Sequence, residues 1–158
     1  MEKKANNEDK IMWKVMIVDD EKLICKLVQA LVEWDKLGMQ MAAQAENAIQ
    51  ALDMLQQYRP DILITDIRMP GMDGLELIKN AKKICPELEI IIISGYAHFE
   101  YARNALSLGV GNYLLKPIKQ DELNETLRKI GERLDAKKSA QGMEMAERRV
   151  SESDVNRL

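Results

Sequence analysis

Past residue 12 the chain alternates between short continuous apolar runs and longer stretches whose apolar residues recur every three or four positions. Val15 to Val18, Ile62 to Ile64 and Ile90 to Ile93 are apolar on both faces, the pattern of strands buried inside a sheet. Met39 to Ala43 and Tyr113 to Leu115 are weaker runs of the same kind. Between them lie amphipathic stretches. Glu21 to Trp34 carries Leu23, Leu27, Ala30, Leu31 and Trp34 at helical spacing. Asn47 is placed to cap a helix with Ala48, Ala51, Leu52 and Leu55 on one face. Further helices are predicted from Leu75 to about Ile84 and from His98 to Leu108, the latter with Ala102, Ala105 and Leu106 inward. A last one starts near Gln120, with Leu123, Leu127, Ile130 and Leu134 on its apolar side.

The punctuation agrees with these elements. Pro60 ends the second helix, since proline disfavours the helical region for the residue before it. Residues 69–74 form a loop, and Gly109 is placed as a helix C-cap. The order βαβαβαβαβα with continuous apolar strands predicts an α/β fold: a doubly wound, parallel five-stranded (βα)5 sheet with helices on both faces. In such sheets the functional site lies beyond the carboxyl ends of the strands. Residues 1–12, polar with six charges, are expected to be a disordered leader and 13–136 the folded domain. After Leu134 the spacing fails at Lys137 and Gln141, so 137–158 is expected to be a linker or helical tail, with Glu144 to Arg149 a solvated face.

Composition narrows the class. The 158 residues are 46% hydrophobic and 31% charged, as in a globular domain. A net charge of −3 excludes a strongly basic nucleic-acid footprint. The longest aliphatic run, Ile90 to Ile93, is far below the roughly 20 apolar residues of a membrane span. Two cysteines, Cys25 on an early helix and Cys85 at the end of a later one, make no disulfide framework and fit a reducing cytoplasm.

Candidate chemistry sits where the fold puts it. Strand one ends in Asp19-Asp20, strand three in Asp66, strand four in Ser94 and strand five in Lys116. Three carboxylates converging there repel one another and should raise at least one pKa. A lysine and a hard divalent cation relieve that repulsion, and Mg²⁺ takes carboxylates while leaving room for phosphate oxygens. The same set suits phosphoryl transfer to a carboxylate, with cations on the equatorial oxygens and a hydroxyl such as Ser94 donating to one of them. No GxxxxGK or GxGxxG is present, which disfavours a nucleotide-binding enzyme. Taken singly, each group has a plainer reading: Asp19-Asp20 as a helix cap, Ser94-Gly95 as a turn, Lys116-Pro117 as a strand stop. His98 is expected on a solvated helix face, and the methionines, Trp13 and Trp34 in packing.

The motifs VDDE at 18–21, TDIRMPGMDG at 65–74, SGYA at 94–97 and YLLKP at 113–117 resemble the receiver domain of bacterial two-component response regulators. The resemblance covers about residues 14–135. It implies a flavodoxin-like fold, strand order 2-1-3-4-5, and a cis Lys116-Pro117 bond. By position, Asp66 resembles the phosphoacceptor. Asp19, Asp20, Asp66 and the backbone carbonyl of Arg68 resemble the ligands of Mg²⁺ or Mn²⁺. Ser94 and Tyr113 resemble the switch pair, and Lys116 the lysine that pairs with the phosphoryl group. The implied partners are a sensor histidine kinase and a second copy bound through the fourth-helix to fifth-helix face, by polar residues. SGYAHFEYARNAL further resembles receivers of regulators with an arabinose-regulator-type helix-turn-helix output domain, so DNA would be met only through a domain outside this chain.

The resemblance implies a signalling switch that catalyses only its own phosphorylation and dephosphorylation. A true aspartyl-phosphate phosphatase would often need an acid two residues after the nucleophile, where this chain has Arg68. A free-standing receiver, or one that works as a phosphate-independent interaction module, is the alternative.

Overall fold

The computed structural model describes residues 12–95 and 99–156, with side chains for 12–95 and 103–142. Five strands, β1 (Trp13–Val18), β2 (Met39–Ala45), β3 (Ile62–Thr65), β4 (Glu89–Ser94) and β5 (Asn112–Leu115), form one sheet in the order β2-β1-β3-β4-β5. All neighbours pair parallel. Five helices connect and flank them: α1 (Lys22–Leu31), α2 (Ala48–Tyr58), α3 (Gly74–Ile84), α4 (Phe99–Ser107) and α5 (Gln120–Asn156). One short helical turn, Trp34–Leu37, precedes β2.

The strands are apolar on both faces because both faces are covered. Val15, Ile17, Ile62, Ile64, Ile91 and Ile93 pack with Cys25 and Val28 of α1 and with Leu123, Leu127, Ile130 and Leu134 of α5. The alternate residues Met16, Val18, Leu63, Ile90 and Ile92 pack with Ala48, Ala51 and Leu55 of α2, Leu77, Ile78 and Ala81 of α3, and Ala105 of α4. Burial of these branched side chains supplies the main driving force for the fold, at roughly 1.5–3 kcal/mol each. Asn47 caps α2, its side chain accepting from the Gln50 amide at 2.8 Å, and Gly109 sits at φ 85° after α4.

Three local expectations change. The first helix stops at Leu31 rather than reaching Trp34, because Asn124 of α5 intervenes. Its side chain donates to the Leu31 carbonyl at 2.9 Å and accepts from the Glu33 amide at 2.8 Å, satisfying groups at the helix end. Second, α1 buries Cys25 and Val28, leaving Leu23 77% and Leu27 40% exposed. Both stripes have helical spacing, and docking on the sheet selects the one containing Cys25. Third, Leu106 of α4 is 67% exposed while Ala105 is buried. Of the two forms expected after Leu134, linker or helical tail, the chain takes the helical one: α5 continues to Asn156 although its apolar stripe ends at Leu134. Residues 1–11 of the expected leader and His98 lie outside the described residues, as do the side chains of Ala102 and of Glu144 to Arg149.

Where the apolar stripe of α5 ends, polar contacts begin. The Trp13 indole N–H donates to Asp135 at 2.8 Å, and the Lys138 ammonium lies 5.9 Å over the same ring. Arg133 pairs with Glu89 at 3.2 Å and Lys137 with Glu87 at 3.2 Å. No described helix is long and apolar enough to cross a membrane.

Candidate phosphoryl-acceptor and metal site

The register of the three central strands brings the strand-end residues together. Val18 of β1 pairs with Thr65 of β3, and the Asp66 amide donates to the Val18 carbonyl at 3.2 Å. Asp19 and Asp66 are thereby neighbours at the carboxyl edge of the sheet. Asp19 is 3% and Asp66 7% exposed. On the far side of β4, the Lys116 amide donates to the Ser94 carbonyl at 2.8 Å, which carries Lys116 one step past β5 on the same rim. The Lys116–Pro117 peptide is cis.

Lys116 reaches across that rim. Its Nζ lies 3.1 Å from Asp66 Oδ2 and 3.4 Å from Asp19 Oδ2. The other carboxylate oxygens are held by backbone: Asp66 Oδ1 accepts from the Ile67 amide at 2.7 Å, and Asp19 Oδ1 from the Glu21 amide at 2.9 Å. Behind them, the Thr65 hydroxyl donates to the Asp66 carbonyl at 2.9 Å, and Cys25 Sγ lies 3.8 Å from the Asp19 carbonyl oxygen. Asp20, by contrast, is exposed. It lines a cleft of about 540 Å³ with Glu46, Asn47, Ala48, Ile49, Pro70 and Met72.

The electrostatics follow from this placement. Burial, reinforced by the charge of Asp66, raises the Asp19 carboxyl to about 6 against the pull of the Glu21 amide and Lys116. Burial would lower the Lys116 ammonium, but the hydrogen bond and charge of Asp66, with Asp19 behind, outweigh it and hold it above its ordinary value. Burial, then the Asp19 charge, pushes the Cys25 thiol up to about 11, so it is a packing thiol and not a nucleophile.

Asp19, Asp20 and Asp66 each offer a carboxylate oxygen, all within 4.8 Å of one another. Three carboxylates against one lysine leave the cluster short of positive charge. An all-oxygen set with one exposed member and an open cleft fits a hard divalent cation that keeps some of its water. Arg68 is exposed in the loop after Asp66. Ser94 is buried at the end of β4, 1% exposed, and Tyr113 is half-buried against the α2–α4 side of the core.

The sequence reading missed several groups. Glu46 bridges to Lys22 at 3.3 Å and walls the cleft. Ile49, which lines the same cleft as Asp20, is 66% exposed. Gly74, read as a loop residue, is the first residue of α3 and packs directly on the Asp66–Ile67 backbone. A lone apolar residue among polar ones carries no sequence signal of such placement, and neither does one glycine at a loop end.

Comparison with known proteins agrees with the geometry. Residues 15–128 match the family model described as the response regulator receiver domain. The chain is 40% identical over 119 residues to an uncharacterised transcriptional regulatory protein, YesN, of Bacillus subtilis strain 168, covering 75% of this chain and 32% of that one. Among solved structures it resembles the receiver domain of AraT, a response regulator from Geobacillus stearothermophilus. The TM-score is 0.76 at 38% identity, covering 80% of this chain and 98% of that one. It also resembles a two-component transcriptional regulator, AraC, from Clostridium phytofermentans, with TM-score 0.70, 35% identity, and coverage of 75% and 92%. The chain spans between about a third and a half of the length of the curated relatives it matches.

Proposed function

Since the chain belongs to the response regulator receiver family, we propose that Asp66 accepts a phosphoryl group from a sensor histidine kinase and that the altered charge switches the receiver's outer face. The observation that carries this reading is the bridge from Lys116 to Asp66 and Asp19, beside the exposed Asp20. It supports the reading because three carboxylates and one ammonium meet at one opening.

In the transfer, an Asp66 carboxylate oxygen attacks phosphorus. The new O–P bond forms as the donor's P–N bond breaks, and the electron pair leaves with the imidazole nitrogen. Lys116 pairs with the incoming phosphoryl oxygens and offsets their charge. Asp19, Asp20, Asp66 and the Arg68 carbonyl would hold Mg²⁺ or Mn²⁺. Such an ion, when bound, supplies positive charge to the phosphoryl oxygens. Ser94 donates its hydroxyl to the product, and Tyr113 is the aromatic that follows it, biasing a two-state element. Arg68 cannot protonate a leaving group, which sets this chain apart from a phosphatase.

The switched face includes α4, β5 and α5, and we assign it to pairing with a second copy. It is less polar than its sequence suggests: Leu106 of α4 is 67% and Leu115 of β5 46% exposed. Residues 13–136 are the receiver and 137–158 a helical connection in this reading, which also takes the site to be cytoplasmic. Transcriptional output, through DNA contact made by a segment of the kind that lengthens the relatives, belongs to the same proposal.

Borohydride converts an aspartyl phosphate to homoserine. After incubation with acetyl phosphate and Mg²⁺, peptide mapping should find that conversion at position 66. Conversion at Asp19 or Asp20 instead would overturn the assignment.

A further inference from the structure

We infer that Gly74 is a positioning residue for the acceptor, an inference that rests on Asp66 being that acceptor. Its amide donates to the Ile67 carbonyl at 2.6 Å, closing the loop that runs from Asp66 into α3. A Cβ at this position would fall on the Asp66 carbonyl oxygen, far inside van der Waals contact. It would also lie 2.8 Å from the Ile67 Cα and 2.9 Å from the Asp66 carbonyl carbon. All three are backbone atoms, so no side-chain rotation relieves the overlap.

Something must move, and the two sides are unequally anchored. α3 is fixed through Leu77, Ile78 and Ala81, each fully buried. Its start is held by the Asp73 side chain, which accepts from the Glu76 amide at 2.9 Å. The facing loop is anchored by buried Ile67 and Met69 near its start, but Arg68, Pro70 and Gly71 are exposed. The loop therefore yields first, and it starts at the acceptor. The Ile67 amide that orients Asp66 Oδ1 at 2.7 Å moves with it, as does the Arg68 carbonyl one residue on. The missing side chain of Gly74 thus fixes where the nucleophile points. A displacement of about 1 Å is enough to cost on the order of 10²-fold in a transfer that depends on alignment.

The test compares Gly74→Ala with Ile78→Val, a change in the same helix that lowers stability without touching the loop. Both are assayed in the full chain at a temperature where both are folded by circular dichroism. Gly74→Ala should slow labelling by acetyl phosphate at least tenfold and weaken Mg²⁺ binding in a calorimetric titration. Ile78→Val should leave both unchanged, because loss of stability alone moves neither. Parent-like labelling and Mg²⁺ affinity in Gly74→Ala would overturn the inference. Should Gly74→Ala fail to fold under these conditions, it is folded in a stabilising osmolyte and compared with the parent chain in the same osmolyte. Slower labelling by its folded form then supports the inference, and parent-like labelling overturns it. Absence of labelling in the parent chain would instead mean that the acceptor assignment itself is wrong.

Discussion

Lys116 Nζ stands 3.1 Å from Asp66 Oδ2 and 3.4 Å from Asp19 Oδ2, so one ammonium bridges two carboxylates that are nearly buried. Removing it leaves those carboxylates facing each other without a compensating charge. Lys116→Met is expected to destabilise the metal-free protein by about 1–3 kcal/mol near pH 7, less than a fully buried pair because Lys116 itself is 18% exposed. Labelling by acetyl phosphate should slow at least tenfold, since the variant offers no lysine charge to the transferring group. Urea unfolding and intact-mass time courses on the same sample check both.

Asp19 makes the metal-free fold pH-sensitive. Its carboxyl is raised from 3.8 to about 6 in the folded chain, so the folded state holds the proton more tightly than the unfolded state. The stability this contributes is complete below about pH 4 and lost as pH rises through 6. The loss is on the order of 3 kcal/mol, by the linkage between a pKa shift and free energy. In the presence of a chelator, the difference in stability between Asp19→Asn and the parent should therefore grow in the variant's favour between pH 4 and 7. A difference that stays flat with pH would contradict the account.

Two large apolar side chains are exposed near the cleft: Ile49, 66% exposed, in its lining, and Leu23, 77% exposed, on α1 beside Lys22, which pairs with Glu46 of that lining. A small donor needs no such surface, whereas a protein donor does. Leu23→Asp and Ile49→Asp should slow phosphotransfer from the kinase at least tenfold and leave labelling by acetyl phosphate unchanged. Equal loss with both donors would show that the changes act on the site itself.

Leu106 and Leu115 are exposed on the proposed switched face. Leu106→Lys with Leu115→Lys should abolish a dimer formed on addition of beryllofluoride and Mg²⁺, read by light scattering after size exclusion. Persistence of the dimer would place the interface elsewhere.

Much of this architecture is legible in the sequence because each strand is a continuous apolar run that stops at a polar residue. That pattern marks both the buried sheet and its carboxyl edge, so the sequence alone puts Asp19, Asp66, Ser94 and Lys116 on one rim. What stays hidden depends on partners distant in the chain. The stop at Leu31 comes from Asn124, 93 residues away. The inward stripe of α1 is chosen by the sheet between two stripes of equal period. The stretch after Leu134 is open between linker and helical tail in the sequence because the apolar spacing fails there, and the helix runs on through residues of high helix propensity such as Ala, Lys, Gln, Met, Glu and Arg. Apolar periodicity finds packed helices only. Gly74 lies at the far end of the loop from the Asp66–Ile67 backbone it packs on, and nothing in its neighbours announces the close approach.

The central claim is that Asp66 takes a phosphoryl group in a metal-dependent step. Intact mass after incubation with acetyl phosphate and Mg²⁺ tests it most directly, beside Asp66→Asn and a sample with chelator. The account predicts one added phosphoryl mass on the parent chain and none in either control. An unmodified parent chain, or an adduct that survives Asp66→Asn, would contradict it.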